Sequence, residues 1–486
     1  MKHIVLGAIK GTIKALLWGI IGAFLVLVTL FVLQLQDRPE LKVWHKAELD
    51  EEFTEDSPLQ DFEGYLRLEE ELFRQLGERV LDGVPQEDRG LLNRYHRGSL
   101  SDPESWLRNW NRTFELSVDT PGAGVLLLHG MSDSPYSLHS IGQRLHEAGA
   151  WVVGLRIPGH GTAPSGLINV RWEDMAAAVR LAVHHLRGRV RDKPIYLIGY
   201  SNGGALAVHY ALSSLEDTTL PEISGMVLIS PAIGVARVAA LAVWQSRLGN
   251  LLGLDKLQWN DIRPEYDPFK YGSFAVNAGD QVYRLTGEIE GRFRALGKSG
   301  KLNRFPPVLA FLSAVDATVS TRAVVQGLFR QLPEGPYELV VFDINRLGET
   351  ERVLTHDPKK DLDTLFNDAG LPFTFSIVTN AGGDSRDVIL RRKKPGSQDA
   401  TEVPLGMEWP RGLYSLSHVA LPFPVNDQLY GMNDSTDRLK LRLGSMDFRG
   451  ERGVLQIPAS EMLRLRWNPF YPYLEQRVLE FVRLSG

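Results

Sequence analysis

The chain has 486 residues, of which 43% are hydrophobic and 23% charged, enough for one large globular domain with insertions or for two domains. Its net charge of -5 lacks the basic excess of nucleic-acid-binding proteins, so we predict no nucleic-acid partner. The chain contains no cysteine, which excludes disulfides, cysteine nucleophiles and thiolate metal sites. We predict neither a cofactor nor a metal.

The first predicted element is an apolar helix near the N-terminus. Residues 16–33 are almost wholly apolar and uncharged, and a run of this length suffices to cross a bilayer. Lys2, Lys10 and Lys14 precede it, which places the N-terminus in the cytoplasm by the positive-inside rule. A cleaved signal peptide is the alternative, but residues 31–37 lack a small-residue cleavage site. We therefore predict a single-pass membrane protein whose catalytic domain lies on the far side, the periplasm in a Gram-negative bacterium.

A polar, helical extension follows the predicted anchor. Apolar residues recur at helical spacing over residues 61–81, which predicts an amphipathic helix that packs on the main domain. We divide the chain into an anchor with its cytoplasmic tip (1–36), this helical N-terminal extension (37–112) and an α/β domain (113–486).

From residue 114 onward, apolar strand-like runs alternate with helical patterns. Strands are predicted at 114–118, 124–128, 151–155, 195–198, 223–229 and 308–312, with helices at 137–148, 172–186 and 203–215. This alternation predicts an α/β fold with a mostly parallel sheet flanked by helices. Ligands of such sheets bind at the carboxyl ends of the strands.

Two stretches interrupt the alternation. Residues 232–304 are rich in aromatic side chains and lie between two core strands, so we predict a lid inserted over the site. Residues 343–412 form a second, polar insertion, in which 373–378 and 387–390 predict a β-hairpin. The basic run at 391–394 is interpreted as a solvated face, with contact to anionic lipid headgroups as the alternative.

The candidate nucleophile lies in Gly199-Tyr200-Ser201-Asn202-Gly203, a G-x-S-x-G pattern between an apolar strand and an apolar helix. Glycines suit this position because the strand-to-helix corner is sharp and leaves no room for side chains. The first amides of the following helix would face a developing oxyanion. A glycine-rich turn with an incidental serine is the alternative interpretation.

A serine nucleophile needs a base and an orienting acid, and in this type of elbow the chain order is serine, acid, histidine. Asp316, just after the strand at 308–312, is the candidate acid, and Asp343 on the next strand is its competitor. Of the 12 histidines, only His356 and His418 follow Asp316. We predict His418 as the base because its surroundings are semi-apolar, whereas His356 lies in a polar loop.

The oxyanion hole needs two backbone donors. One is the amide of Asn202, directly after the nucleophile, and the other is the amide of Met131 in the loop after the strand at 124–128. Gly130 allows this loop to turn tightly, and we interpret His129 as a structural brace rather than a base.

Three motifs in order, Leu-His-Gly-Met-Ser-Asp-Ser from residue 128, Arg-Ile-Pro-Gly-His-Gly-Thr from residue 156 and the Ser201 elbow, resemble the α/β-hydrolase superfamily. The nearest likeness is to its lysophospholipase, monoacylglycerol lipase and carboxylesterase branch. The resemblance covers residues 114–319 well and the C-terminal part loosely. It implies that Ser201 is the nucleophile, His418 the base and Asp316 the acid. It also implies that the backbone amides of Met131 and Asn202 donate to the oxyanion.

We therefore expect a membrane-anchored serine hydrolase that cleaves carboxylic esters, with small or lipid-derived esters as substrates and the membrane contacted through the N-terminal helix. An acyltransferase or serine peptidase on the same scaffold is one alternative. A non-catalytic envelope binding scaffold is the other, against which the complete serine, aspartate and histidine set argues.

Overall fold

A central sheet of ten strands organises the chain. The computed structural model describes residues 14, 16–23, 26, 29, 37–59, 61–234, 254–347, 354–397, 399–432, 441–445 and 457–483. The strands in chain order, of which β6 and β7 form a separate pair, are β1 Phe114–Leu116, β2 Ala123–Leu128, β3 Ala150–Leu155, β4 Ile195–Tyr200, β5 Gly225–Ile229, β6 Trp259–Asp261, β7 Phe274–Ala275, β8 Val308–Ser313, β9 Tyr337–Phe342, β10 Thr374–Asn380, β11 Asp387–Lys393 and β12 Ala400–Glu408.

The sheet has the order β1-β3-β2-β4-β5-β8-β9-β10-β11-β12. All neighbours from β3 to β10 are parallel, whereas β1 at one edge and β11 and β12 at the other are antiparallel. The predicted α/β fold with a mostly parallel sheet is thus confirmed. The predicted hairpin is present as β10 and β11, and it extends the central sheet.

Helices cover both faces of this sheet. They are α1 Val43–Lys46, α2 Phe62–Leu76, α3 His139–Glu147, α4 Gly166–Asn169, α5 Trp172–Val190, α6 Asn202–Ser214, α7 Val276–Ser299, α8 Thr321–Gly327, α9 Lys359–Phe366, α10 Ala459–Met462 and α11 Tyr471–Val482. Along β4, Ile195 and Leu197 pack into one core with α5, α6 and α7, and Tyr196 and Ile198 into a second core with α3 and α11. Because both faces are covered, the inner parallel strands β2, β3, β4 and β5 consist of apolar or aromatic residues and glycine.

The amphipathic helix predicted in the N-terminal extension is present as α2, continued by a π-helical turn at Gly77–Leu81. The side chain of Asp61 caps it, accepting a hydrogen bond from the Gly64 amide at 2.7 Å. Phe62 and Tyr65 on α2 pack into the same core as α5. The extension therefore lies directly against the α/β domain.

The predicted membrane anchor requires correction. Among the residues that the structure describes, no helix is both long and apolar enough to cross a bilayer. Within the predicted span of 16–33, an unbroken helical run is described only at 16–23, whereas crossing takes about 20 residues, and most of the remainder lies outside the described residues. The predictions of a single-pass protein, a cytoplasmic N-terminus and a far-side catalytic domain, which rested on hydropathy alone, are therefore wrong.

Candidate active site

Ser201 occupies the corner between β4 and α6 in a strained backbone conformation, with φ 52° and ψ -115°. A positive φ is costly for a residue with a side chain, about 1–3 kcal/mol, and persists only where the surroundings impose it. Here the Ser201 amide donates to the Ile229 carbonyl at 2.9 Å, and the Ser201 carbonyl accepts from the Ala232 amide at 2.8 Å. The end of β5 and the segment after it thus hold the serine in place.

The flanking glycines permit a backbone approach that no side chain would allow. A Cβ atom at Gly203 would lie 2.0 Å from the Leu128 carbonyl oxygen, and one at Gly199 would lie 2.4 Å from the Gly203 carbonyl oxygen. Both contacts are with backbone, which cannot move aside cheaply. The G-x-S-x-G spacing is therefore required by the close packing of α6 on the ends of β2 and β4.

Gly203→Ala is expected to destabilise the protein by about 3 kcal/mol or more, because the added methyl group overlaps the Leu128 carbonyl. Gly188→Ala in α5 is the matched control, since a Cβ there meets no atom within 4 Å. The control should stabilise the helix by about 0.5–1 kcal/mol. Urea unfolding of both variants measures the difference, and equal stabilities would contradict the assigned packing.

The structure brings Asp316 and His418 together although they are 102 positions apart. Nδ1 of His418 lies 2.7 Å from Oδ2 of Asp316, and the side chains are 6% and 0% exposed. The other carboxylate oxygen, Oδ1, accepts hydrogen bonds from the amides of Thr318 and Val319 at 2.8 and 2.9 Å. With the Asp316 carboxylate accepting from Nδ1, Nε2 of His418 is left as the nitrogen able to take a proton.

Side chains at the strand ends fix the position of His418. The Ser313 hydroxyl at the end of β8 donates to the Leu416 carbonyl at 2.8 Å. Tyr200, directly before the candidate nucleophile, packs its ring against the imidazole with centroids 5.3 Å apart. The loop carrying the histidine is therefore held by β4 and β8, the strands that carry Ser201 and Asp316.

Burial disfavours the charged form of Asp316, but the hydrogen bond from His418 and those from two backbone amides outweigh it and lower the pKa of this carboxyl group. A lowered pKa stabilises the fold at pH values above the unfolded pKa of about 3.9. That stability is lost as the pH falls through the folded pKa.

We expect the free energy of unfolding to fall more steeply below about pH 5 in the wild type than in Asp316→Asn, because only the wild type must protonate this carboxylate. Urea titrations at several pH values from 7 to 3 measure both slopes. Parallel curves would show that ionised Asp316 adds no stability.

The competing residues, Asp343 and His356, contact other partners. Asp343 is held by Arg346, whose Nη2 and Nε lie 2.7 and 2.8 Å from its two oxygens, and it also accepts from the Thr379 hydroxyl at 2.9 Å. The side chain of His356 is 71% exposed, with Nε2 3.9 Å from Asp361. Neither residue is joined to the Asp316–His418 pair.

The loop after β2 passes close to the candidate nucleophile. A Cβ atom on Gly130 would lie 3.2 Å from Cβ of Ser201. His129 accepts a hydrogen bond from the Ile157 amide at Nε2 (3.0 Å), so its Nδ1 donates to the Gly130 carbonyl (2.9 Å). Burial, with His160 nearby, lowers the pKa of His129 well below its ordinary value. A neutral histidine with both nitrogens occupied suits the role of a brace.

The amides of Met131 and Asn202 are the two predicted oxyanion donors. Asn202 is the first residue of α6, and Met131 lines the cavity that contains Ser201 and His418.

The cavity at Ser201 has a volume of about 540 Å³, within the range of small-molecule sites, about 300–1,000 Å³. Part of its lining is apolar and comprises Ala232, Phe274, Val282, Val319, Val419 and Phe423. Another part is charged and comprises Arg263, Asp267, Lys270, Glu461, Arg464 and Arg466. The site can therefore take a molecule with one apolar and one polar portion.

Sequence reasoning missed the contacts that join the 232–304 insertion to the site. Nζ of Lys270 lies 2.8 Å from Oδ1 of Asp133, and the Tyr271 amide donates to the Ser132 carbonyl at 2.9 Å. The aromatic content of the insertion was the available signal that it contacts the site. It held no information on which side chains would meet the loop after β2.

Comparison with known proteins identifies relatives of this chain. A family model described as serine aminopeptidase, S33 (Hydrolase_4) matches residues 119–266. The thermostable monoacylglycerol lipase of Bacillus sp. (strain H-257) is 31% identical over 197 residues, which are 40% of this chain and 71% of that protein. Phospholipase YtpA of Bacillus subtilis (strain 168) is 26% identical over 119 residues, 24% of this chain and 44% of that protein.

The protein in the crystal structure of Paleococcus ferrophilus monoacylglycerol lipase shares 20% sequence identity with this chain. The match covers 48% of this chain and 88% of that one, with a TM-score of 0.36. The monoacylglycerol lipase of the Bacillus strain is thus matched over more than two thirds of its own length. The chain belongs to the α/β-hydrolase superfamily, in its lipase and esterase branch, and is a serine ester hydrolase.

Proposed function

We propose that the protein cleaves carboxylic esters through an acyl-enzyme on Ser201. Nε2 of His418 takes the hydroxyl proton as Oγ attacks the acyl carbon, and Asp316 stabilises the resulting imidazolium. The amides of Met131 and Asn202 bind the oxyanion, and His418 returns the proton to the departing alcohol. Water activated by the same base then releases the acid. The observation that carries the proposal is the 2.7 Å contact of His418 with Asp316 beside the cavity of Ser201.

The 232–304 insertion is proposed to act as a lid over this reaction. Its described part supplies Arg263, Lys270, Phe274 and Val282 to the cavity lining. A lid that excludes water would strengthen the electrostatic interactions at the oxyanion.

The proposed substrates are esters of an apolar acyl chain with a polar alcohol, of which a monoacylglycerol is one example. The presence of both apolar and charged side chains in the cavity lining supports this class, and the name of the matched Bacillus lipase agrees with it. The apolar lining would take the acyl chain, and the charged lining would take the alcohol.

A panel of esters in water, without an added acceptor, tests this proposal. We expect hydrolysis of monoacylglycerols and p-nitrophenyl esters, with kcat/KM rising by about 10-fold or more per two methylene groups until the apolar lining is filled. Product acid and alcohol are measured directly. Cleavage of aminoacyl p-nitroanilides but not esters would favour a peptidase, and turnover only with an added alcohol or amine would favour an acyltransferase.

A further inference from the structure

The loop at 156–162 lies between the N-terminal extension and the loop after β2 (residues 129–134), which we call the oxyanion loop. Charged side chains of the extension hold the loop at 156–162. We propose that Glu52 and Glu69 of the extension are positioning residues for the oxyanion hole, acting through Arg156. The proposal rests on the function proposed above. The N-terminal extension contributes no reacting group, and under this proposal it affects catalysis by positioning an oxyanion donor.

Arg156 is fully buried, and the extension supplies both of its carboxylate partners. Nη2 and Nη1 lie 2.8 and 3.1 Å from the two oxygens of Glu52, and Nε lies 3.2 Å from Glu69. Glu52 also accepts from the Gly159 amide at 2.9 Å, so one carboxylate bridges the side chain and the backbone of the same loop. A bidentate carboxylate fixes the guanidinium in both position and plane.

Further contacts from the extension hold the backbone of this loop. The hydroxyl of Tyr65 donates to the Arg156 carbonyl at 2.5 Å, and that of Tyr95 donates to the Thr162 carbonyl at 3.0 Å. Nη2 of Arg94 donates to the Gly161 carbonyl at 3.5 Å. Both ends of the loop are therefore attached to the extension.

The loop at 156–162 in turn contacts the oxyanion loop through the imidazole of His129. The Ile157 amide, next to Arg156, donates to Nε2 of His129 at 3.0 Å, and Nδ1 of His129 donates to the Gly130 carbonyl at 2.9 Å. Gly130 shares its peptide bond with the Met131 amide, so the orientation of this carbonyl sets that of the proposed donor. A rigid series of hydrogen bonds thus connects Glu52 to the oxyanion hole.

Displacing a catalytic group by about 1 Å can cost 100-fold in rate. Removing the charge of Glu52 or Glu69 should therefore reduce kcat without changing how the substrate binds. We expect Glu52→Gln and Glu69→Gln each to lower kcat for p-nitrophenyl ester hydrolysis by about 10-fold, with KM within about twofold of the wild type. The plateau of the kcat–pH profile should fall without shifting along the pH axis, because His418 is untouched.

Matched controls are available one residue away. Glu51 is exposed, and Glu70 pairs with Arg112 at an exposed position, so Glu51→Gln and Glu70→Gln should leave kcat within about twofold of the wild type. Rates are expressed per active site counted by fluorophosphonate labelling to completion. Tyr65→Phe, which removes one hydroxyl at constant ring volume, should lower kcat by about threefold and serves if the glutamine variants fail to fold.

The route through His129 is tested by combining substitutions. In a His129→Gln background, Glu52→Gln should lower kcat by less than about twofold, since the connection is already broken. Full additivity, or kcat values for Glu52→Gln, Glu69→Gln and Tyr65→Phe equal to those of the controls, would overturn the proposal. Failure of the wild type itself to hydrolyse any ester or to react with the probe would instead overturn the proposed function.

Discussion

Ser201→Ala is expected to reduce kcat for ester hydrolysis by about 10⁶-fold and to abolish covalent labelling by a fluorophosphonate. The reason is that no other hydroxyl occupies the strained corner between β4 and α6, where Oγ is held beside the cavity that His418 also lines. KM for the remaining turnover should change little, because the alanine leaves the acyl and alcohol linings intact.

Ser105→Ala is the control for this experiment, since Ser105 is an exposed serine in a short helical turn. It should be labelled and active to the same extent as the wild type. Thermal unfolding of both variants should lie within about 3 °C of the wild type, because neither change removes a buried partner. Labelling of Ser201→Ala at the wild-type rate would place the nucleophile elsewhere and refute the assigned site.

His418→Ala is expected to lower kcat by about 10⁴- to 10⁶-fold, whereas His356→Ala should stay within about twofold of the wild type. His418 is enclosed and bonded to a buried carboxylate, which a general base needs in order to be both oriented and electrostatically stabilised. His356 is largely exposed, and its contact with Asp361 spans 3.9 Å.

Initial rates on one p-nitrophenyl ester across pH 5 to 9 distinguish the two histidines. The rate of His418→Ala should stay far below that of the wild type at every pH in this range, because the group that accepts the Ser201 proton is gone. The rate of His356→Ala should match that of the wild type throughout. The reverse pattern would exchange the roles of the two residues.

Local patterns in the sequence were sufficient to predict the elbow, because its requirements are met within five residues. Gly199 and Gly203 indicate that backbone segments lie close together at the corner. The apolar runs on either side predict the strand and the helix directly. The expected order of the chain and the number of histidines reduced the candidate bases to His356 and His418, and the semi-apolar surroundings of His418 favoured it over His356.

Other features depended on pairings between distant residues, which a single sequence does not encode in any local pattern. The contact of Glu52 with Arg156 spans 104 positions, and that of Asp133 with Lys270 spans 137. Charged residues are common on surfaces, so nothing in the neighbouring sequence marks the members of these two pairs as close together. The apolar run near the N-terminus is a strong local hydropathy signal, but it led to the prediction of a membrane-spanning helix that is not found among the described residues.

The loop that carries His418 bypasses the outer strands of the sheet. After β12 the chain returns to the ends of inner strands, where Leu416 is bonded to Ser313 at 2.8 Å and Asn345, just after β9, donates its amide to Tyr414 at 2.8 Å. Edge strands open locally at a lower free energy than central ones. Local opening of β11 and β12 can therefore leave His418 in place. Substitutions, insertions or deletions in these two strands should change the rate of catalysis little.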